Sequence, residues 1–225
     1  MTHPAYLLAR MHPKNVRFDI GTGGVPELTS SDIAGALGMV PAGIGRELLC
    51  LVWWPDSRAS IEHHAINRLN ATLLSEWSRR ESSMLDAMLA IAGSHGRESL
   101  RSAQSKYASA HGNRWPSINQ VENDFRSPQG AYGLLAPAVV AEILHPRQCP
   151  QCDGRGSAQT RLGMVKCDRC NESGLVAMTN TDRASALKIT EQNYRARWDG
   201  PYTWLRDFCT DALRSASKAL EAAAA

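Results

Sequence analysis

The sequence predicts a mainly α-helical protein: a helical bundle with an inserted four-cysteine ribbon or knuckle and a C-terminal helix-turn-helix. Three observations carry this. Helix formers dominate, and no long β-branched run occurs in the 225 residues. Apolar residues recur at three- and four-residue intervals in several stretches. Four of the six cysteines form two C-x-x-C pairs, Cys149/Cys152 and Cys167/Cys170, with fourteen residues between them. A chain of this length can bury a core as one or two domains.

Taken in order, residues 1–29 read as an irregular N-terminal arm, punctuated by Gly21, Gly23, Gly24 and Pro26. A helix starts at Ser30/Ser31, with Asp32 in its first turn and Gly38 as its stop. A second helix follows Pro41 and ends at Trp53-Trp54-Pro55, because proline bars the preceding residue from helical geometry. Residues 57–80 form the clearest long helix, with Ile61, Ala65, Ile66, Leu69, Leu73, Leu74 and Trp77 as one buried stripe. Helical patterning continues over 82–92 and 97–109, broken at Gly93 and Gly96. Residues 110–133 lose periodicity and read as a flexible connection or surface insertion. A further helix over 134–144 leads into the cysteines. The domains expected are thus the arm 1–29, a helical region 30–146, a metal-binding motif 147–178, and a helix-turn-helix with a last helix over 179–225.

The chemistry is concentrated in the cysteines. One C-x-x-C pair offers two thiolates from a single tight turn, and two facing pairs close a tetrahedral sulfur cage. Gly154 and Gly156 let the backbone turn so that amides face the sulfurs. A redox C-x-x-C usually stands alone beside a βαβ pattern, which is missing here. Iron–sulfur ligation by four cysteines is a further alternative, but two symmetrical knuckles suit zinc better. With all four positions filled by protein, one Zn²⁺ held by Cys149, Cys152, Cys167 and Cys170 would be structural. Between the pairs, Gly163–Lys166 reads as a short strand with Leu175–Met178 as its partner. Cys50 and Cys209 lie on apolar helix faces and read as small buried hydrophobes. His63 and His64 are adjacent on a helix and point about 100° apart, so they do not form a ligand pair.

Residues 182–198 fit a helix-turn-helix template, although a plain amphipathic pair would leave a similar pattern. Ala184 is the small residue where the helices touch, Lys188 stands at the turn position where glycine is commoner, and Ile189 is the buried turn residue. Thr190 caps the second helix, with Glu191 in its first turn. Tyr194 and Trp198 face inward. Gln192, Asn193, Arg195 and Arg197 face outward and, with Lys188 and Thr190, are the candidate DNA contacts. Asp199-Gly200-Pro201 is expected to stop this helix, and Pro201 to open a last one. Charge agrees with a phosphate-backbone partner. Residues 1–144 hold thirteen basic and thirteen acidic side chains, 145–198 nine and five, and 199–225 three and four.

No apolar run approaches the roughly 20 residues of a membrane span. Met1-Thr2-His3-Pro4 lacks the apolar core of a secretory leader, so the cytoplasm is the expected compartment, where paired cysteines are more often metal ligands than disulfides. No paired carboxylates, nucleophile–base pair or phosphate loop stands out, so no enzymatic activity is expected.

Three stretches resemble the late-gene antitermination protein Q of lambdoid phages, in its lambda-type branch. They are Asp32-Ile33-Ala34-Gly35-Ala36-Leu37-Gly38-Met39 followed by Gly43, Gly45 and Cys50; the cysteine motif with Gly154 and Gly156; and the helices from Ala184 to Leu213. DnaJ-type chaperones share such knuckles, so the order of the stretches is the stronger sign. Glu172 stands where the family pattern has glycine, and the second knuckle is expected to depart from the template there. The resemblance implies a factor that binds double-stranded DNA within a phage late promoter. It would engage bacterial RNA polymerase through the sigma factor and the beta-subunit flap, and let it read through terminators in the host cytoplasm. The neutral helices of 30–146 are then the candidate polymerase contact. Two rival readings are a helix-turn-helix regulator without antitermination activity and a chaperone-like zinc protein that binds polypeptide.

Overall fold

The computed structural model describes residues 30–53, 58–116, 128–160 and 163–223. The expected arm 1–29, Trp54-Pro55 and the middle of the 110–133 stretch lie outside them. The described chain is mainly helical. It comprises α1 (Ser30–Met39), α2 (Ile44–Trp53), α3 (Arg58–Ala92), α4 (Arg97–Gly112) and α5 (Pro128–Leu144). Then come β1 (Arg147–Gln148), β2 (Ser157–Thr160), β3 (Gly163–Lys166), β4 (Leu175–Val176), α6 (Asn180–Ala186), α7 (Glu191–Asn193) and α8 (Asp199–Ala223). No helix among the described residues is long and apolar enough to cross a membrane.

The chain divides into two compact units. Of the described residues, the first takes 30–53, 58–68, 140–160, 163–177 and 206–223; the second takes 69–116, 128–139 and 178–205.

In the first unit, Ala36, Val40 and Leu49 bury against Ala216 and Leu220, with Leu37, Leu213, Ala219 and Ala223 around them. The α1–α2 corner closes when Arg46 Nη1 donates to the Val40 carbonyl at 3.3 Å. Gly45 explains how closely α2 approaches the C-terminal helix. A Cβ there would overlap the Ala212 carbonyl oxygen and stand 2.9 Å from its carbonyl carbon. Gly35 faces open space. In an exposed helix Gly→Ala gains about 1 kcal/mol. Gly35→Ala is therefore expected to raise the thermal midpoint and Gly45→Ala to lower it; equal effects in calorimetry would refute the close approach.

The second unit has an aromatic core that the sequence pattern did not announce. The Arg80 guanidinium lies 4.4 Å over the Trp115 ring, and Trp204 meets that ring edge-on at 5.3 Å. The Pro116 carbonyl accepts from Trp77 Nε1 at 3.1 Å and from the Tyr132 hydroxyl at 2.7 Å. Arg114 grips Glu81 through two nitrogens at 2.8 and 3.1 Å. Residues 114–116, placed by sequence in a featureless connection, are therefore pinned to α3. Tyr132 packs edge-on against Trp198, with centroids 4.9 Å apart.

Four further expectations change. Residues Arg58–Ala92 form one helix of 35 residues rather than two. Leu74 is 49% exposed, whereas Ala65, Leu69 and Leu73 are buried; Leu74 sits about 100° round the helix from Leu73, past the edge of the stripe. Helix α5 starts at Pro128, six residues before 134, with Gly130 and Gly133 inside it. Asp199-Gly200-Pro201 does not stop the chain. From Glu191 to Ala223 it stays helical, because residues Tyr194–Trp198 form a π turn in which the Asp199 N–H reaches the Tyr194 carbonyl. A widened turn just ahead of a proline relieves the clash of its ring with a preceding carbonyl.

Candidate metal centre

The four cysteines are buried and unpaired by disulfides, and their sulfurs all lie within 4.8 Å of one another. Cys149 Sγ and Cys167 Sγ are 3.8 Å apart; Cys152 Sγ and Cys170 Sγ are 3.7 Å apart. Four sulfurs about 2.3 Å from one central ion in a tetrahedron stand about 3.8 Å from each other. The cluster could hold a metal ion, and its dimensions are compatible with zinc.

The strands around the cage pair differently from the expected ribbon. Strand β3 pairs with β2, and β4 with β1, both antiparallel. The strand entering each knuckle thus pairs with the strand leaving the other. The Cys149 N–H extends one ladder to the Gly174 carbonyl at 2.8 Å, and the Cys167 N–H extends the other to the Gly156 carbonyl at 3.0 Å. Inside each knuckle the same two turns recur. Gly154 N–H donates to Cys149 O and Arg155 N–H to Cys152 O; Glu172 N–H donates to Cys167 O and Ser173 N–H to Cys170 O. The halves repeat each other eighteen residues apart, as closing both on one ion requires.

The repeat extends to the backbone. Asp153, Gly154 and Gly156 have positive φ of 49°, 79° and 74°, and Asn171, Glu172 and Gly174 have 48°, 68° and 72°. Glu172 therefore adopts the conformation of Gly154, and the expected departure at this point is absent. A non-glycine residue in the left-handed region costs about 1–2 kcal/mol. Glu172 also pairs with Lys166, but both side chains are largely exposed, so the pair contributes about 0–1 kcal/mol. Glu172→Gly is expected to stabilise the metal-loaded protein by up to about 1 kcal/mol. A lower thermal midpoint for that variant would contradict this reading.

Burial raises the Cys149 thiol, but the N–H groups of Gln151 and Cys152 aimed at its sulfur outweigh this and hold it below the ordinary thiol range. Such donors favour the thiolate at Cys149, whereas burial pushes Cys170 up to about 11. Cys209 is buried as expected, and burial pushes its thiol up to about 12; Cys50 is only half-buried, which departs from that expectation, though partial burial also raises it. His63 Nε2 meets the Asn67 amide at 3.0 Å. Among the described residues the four cysteines form the one His/Cys/Asp/Glu group able to hold a metal.

Of the candidate DNA residues, Lys188 and Thr190 fall in the turn after α6, Gln192 and Asn193 on α7, and Arg195 and Arg197 in the π turn that continues it, all in the second unit. Thr179 and Asp182 cap α6 reciprocally. Its end is a Schellman turn: Lys188 N–H donates to Ser185 O and Ile189 N–H to Ala184 O, both at 3.0 Å. Lys188, where glycine is commoner, has φ of 56°. The Thr190 side chain accepts from the Asn193 N–H and caps α7. Ala184, Leu187, Tyr194 and Trp198 are buried. Ile189 is only half-buried, so Leu187 takes the role foreseen for it. Gln192, Arg195, Arg197 and Lys188 are exposed, and Asn193 is half-buried.

Arg183, which the sequence reading did not single out, is buried with its guanidinium 5.2 Å over the Tyr202 ring. Its signal was weak: a lone arginine in a polar helix looks solvent-facing. Burial lifts the Tyr194 phenol to about 12. Among protein-family models, curated proteins and solved structures, none matches this chain.

Proposed function

We propose that the chain is a zinc-containing, DNA-binding transcription protein, with the α6–α7 pair as its helix-turn-helix. More particularly, it is a phage-type antitermination factor. It binds promoter DNA, loads onto bacterial RNA polymerase and carries it through terminators for late gene expression.

The observation that supports this reading best is the turn between α6 and α7. Its left-handed Lys188, capping Thr190 and buried Ala184, Leu187, Tyr194 and Trp198 leave Gln192, Arg195 and Arg197 exposed at the start of the helical run that begins at Glu191. Those side chains suit base edges and phosphates. The sulfur spacing fits one structural Zn²⁺, and Arg155, Lys166 and Arg169 on the cage surface are exposed cations for further phosphate contact. On α3, the exposed Leu85, Met88 and Leu89 give the 30–146 region an apolar face of the kind that protein partners cover. The sigma and beta-flap contacts follow from the family resemblance.

A gel-shift titration against phage genomic fragments, at several salt concentrations and with or without chelator, tests DNA and zinc together. Salt-dependent binding that chelation weakens is expected. No salt-dependent shift would end the DNA reading and favour a polypeptide-binding zinc protein. Binding without terminator read-through by purified polymerase would leave a helix-turn-helix regulator without antitermination activity.

A further inference from the structure

The carboxylate of Glu191 joins both helices of the pair. Its Oε2 accepts from the Thr181 hydroxyl on α6 at 2.7 Å, and its Oε1 pairs with Arg195 Nη2 one turn further along its own helical run. The Thr181 hydroxyl, ahead of the pairing with Arg195, holds the Glu191 carboxyl below its ordinary range. Arg195 remains 63% exposed.

An arginine that serves only to neutralise phosphate gains nothing from a carboxylate at its side. The paired charge weakens its attraction to the backbone and the counterion release that drives such binding. What the carboxylate supplies is orientation: it fixes the plane of a rigid donor fork while using one of its nitrogens. A fixed fork suits a target with two acceptors in one plane, and in the major groove that target is the O6/N7 edge of guanine. Resting on the DNA-binding reading above, we infer that Arg195 reads a guanine and that Glu191, held by Thr181, is the positioning residue that aims it.

The test is selection from random-sequence DNA duplexes with zinc-loaded wild type, Glu191→Gln, Arg195→Lys and Thr181→Val, followed by titrations on the selected duplex and on an unrelated one. Wild type should enrich a site containing a G·C pair. Preference for that pair should fall about 5- to 150-fold with Arg195→Lys, the range of one bidentate base contact. Glu191→Gln should reduce the same preference while binding the unrelated duplex as tightly as wild type or more so, because a negative charge near phosphate is gone. Thr181→Val keeps every charge and should lose part of the preference at that position alone. A purely helix-stabilising Glu191–Arg195 pair would lower the thermal midpoint and leave the enriched site unchanged, and that result overturns the inference. Equal weakening on both duplexes by Arg195→Lys, with the site unchanged, overturns it too by making Arg195 a phosphate contact. Enrichment of no sequence by wild type would instead bring down sequence-specific DNA binding itself, and this inference with it.

Discussion

Cys167→Ser is expected to abolish stoichiometric zinc binding and melt residues 147–177. The cage has almost nothing else to hold it: its core is the four cysteines themselves, with Val176 packed against them. Strands β1 and β4 are two residues each, and β2 and β3 four each. Isolated two-stranded ribbons are marginal in water, whereas structural zinc supplies about 10–16 kcal/mol of apparent binding energy to motifs of this kind. Wild type should release one zinc per chain on thiol modification, read with a chromophoric chelator. Limited trypsin digestion should then open the variant at Arg155, Lys166 and Arg169 while the long helices keep their far-ultraviolet dichroism. A variant that retains a full equivalent of zinc would show that these sulfurs are not its site.

Gly174→Ala and Gly156→Ala should damage the cage almost as severely, while Gly154→Ala should not. A Cβ at Gly174 would overlap the Gly154 carbonyl oxygen and stand 2.8 Å from its carbon. One at Gly156 would do the same to Glu172, 3.0 Å from its carbonyl carbon. These are backbone atoms locked into the opposite knuckle, so the knuckles must separate. At Gly154 the Cβ would meet only the Gln148 side chain, at 3.5 Å. There the cost is the left-handed conformation alone, about 1–2 kcal/mol, or about 5- to 30-fold in zinc affinity. Competition with a chelator should show losses well beyond that range for the other two. Equal affinities across the three variants would refute the interlocked arrangement.

Glu172 and Gly154 show why sequence reading reached part of this site and missed the rest. Glycine at a left-handed position is a preference of about 1–2 kcal/mol. A turn that must close on a common centre can override it, and Glu172 then takes the glycine conformation. The same limit explains Asp199-Gly200-Pro201, where a stop signal lost to a π turn just upstream. Strand pairing went wrong for another reason. Leu175–Val176 lies near Gly163–Lys166 in sequence, but its partner is Arg147–Gln148. Pairing by proximity holds for simple hairpins, and the Cys167–Cys170 knuckle separates these two strands.

By itself the sequence determined the helical class, the four cysteines that form the cluster, the Thr190 cap and the turn at Lys188. Apart from the joining of the two cysteine pairs, each of these is local chemistry, decided by residues within a few positions of one another. Tertiary structure alone decided which strands pair, which glycines admit no side chain, how Trp115 and Arg183 are buried, and that Glu191 ties Thr181 to Arg195. Those depend on which distant segments meet once a core and a sulfur cage have closed.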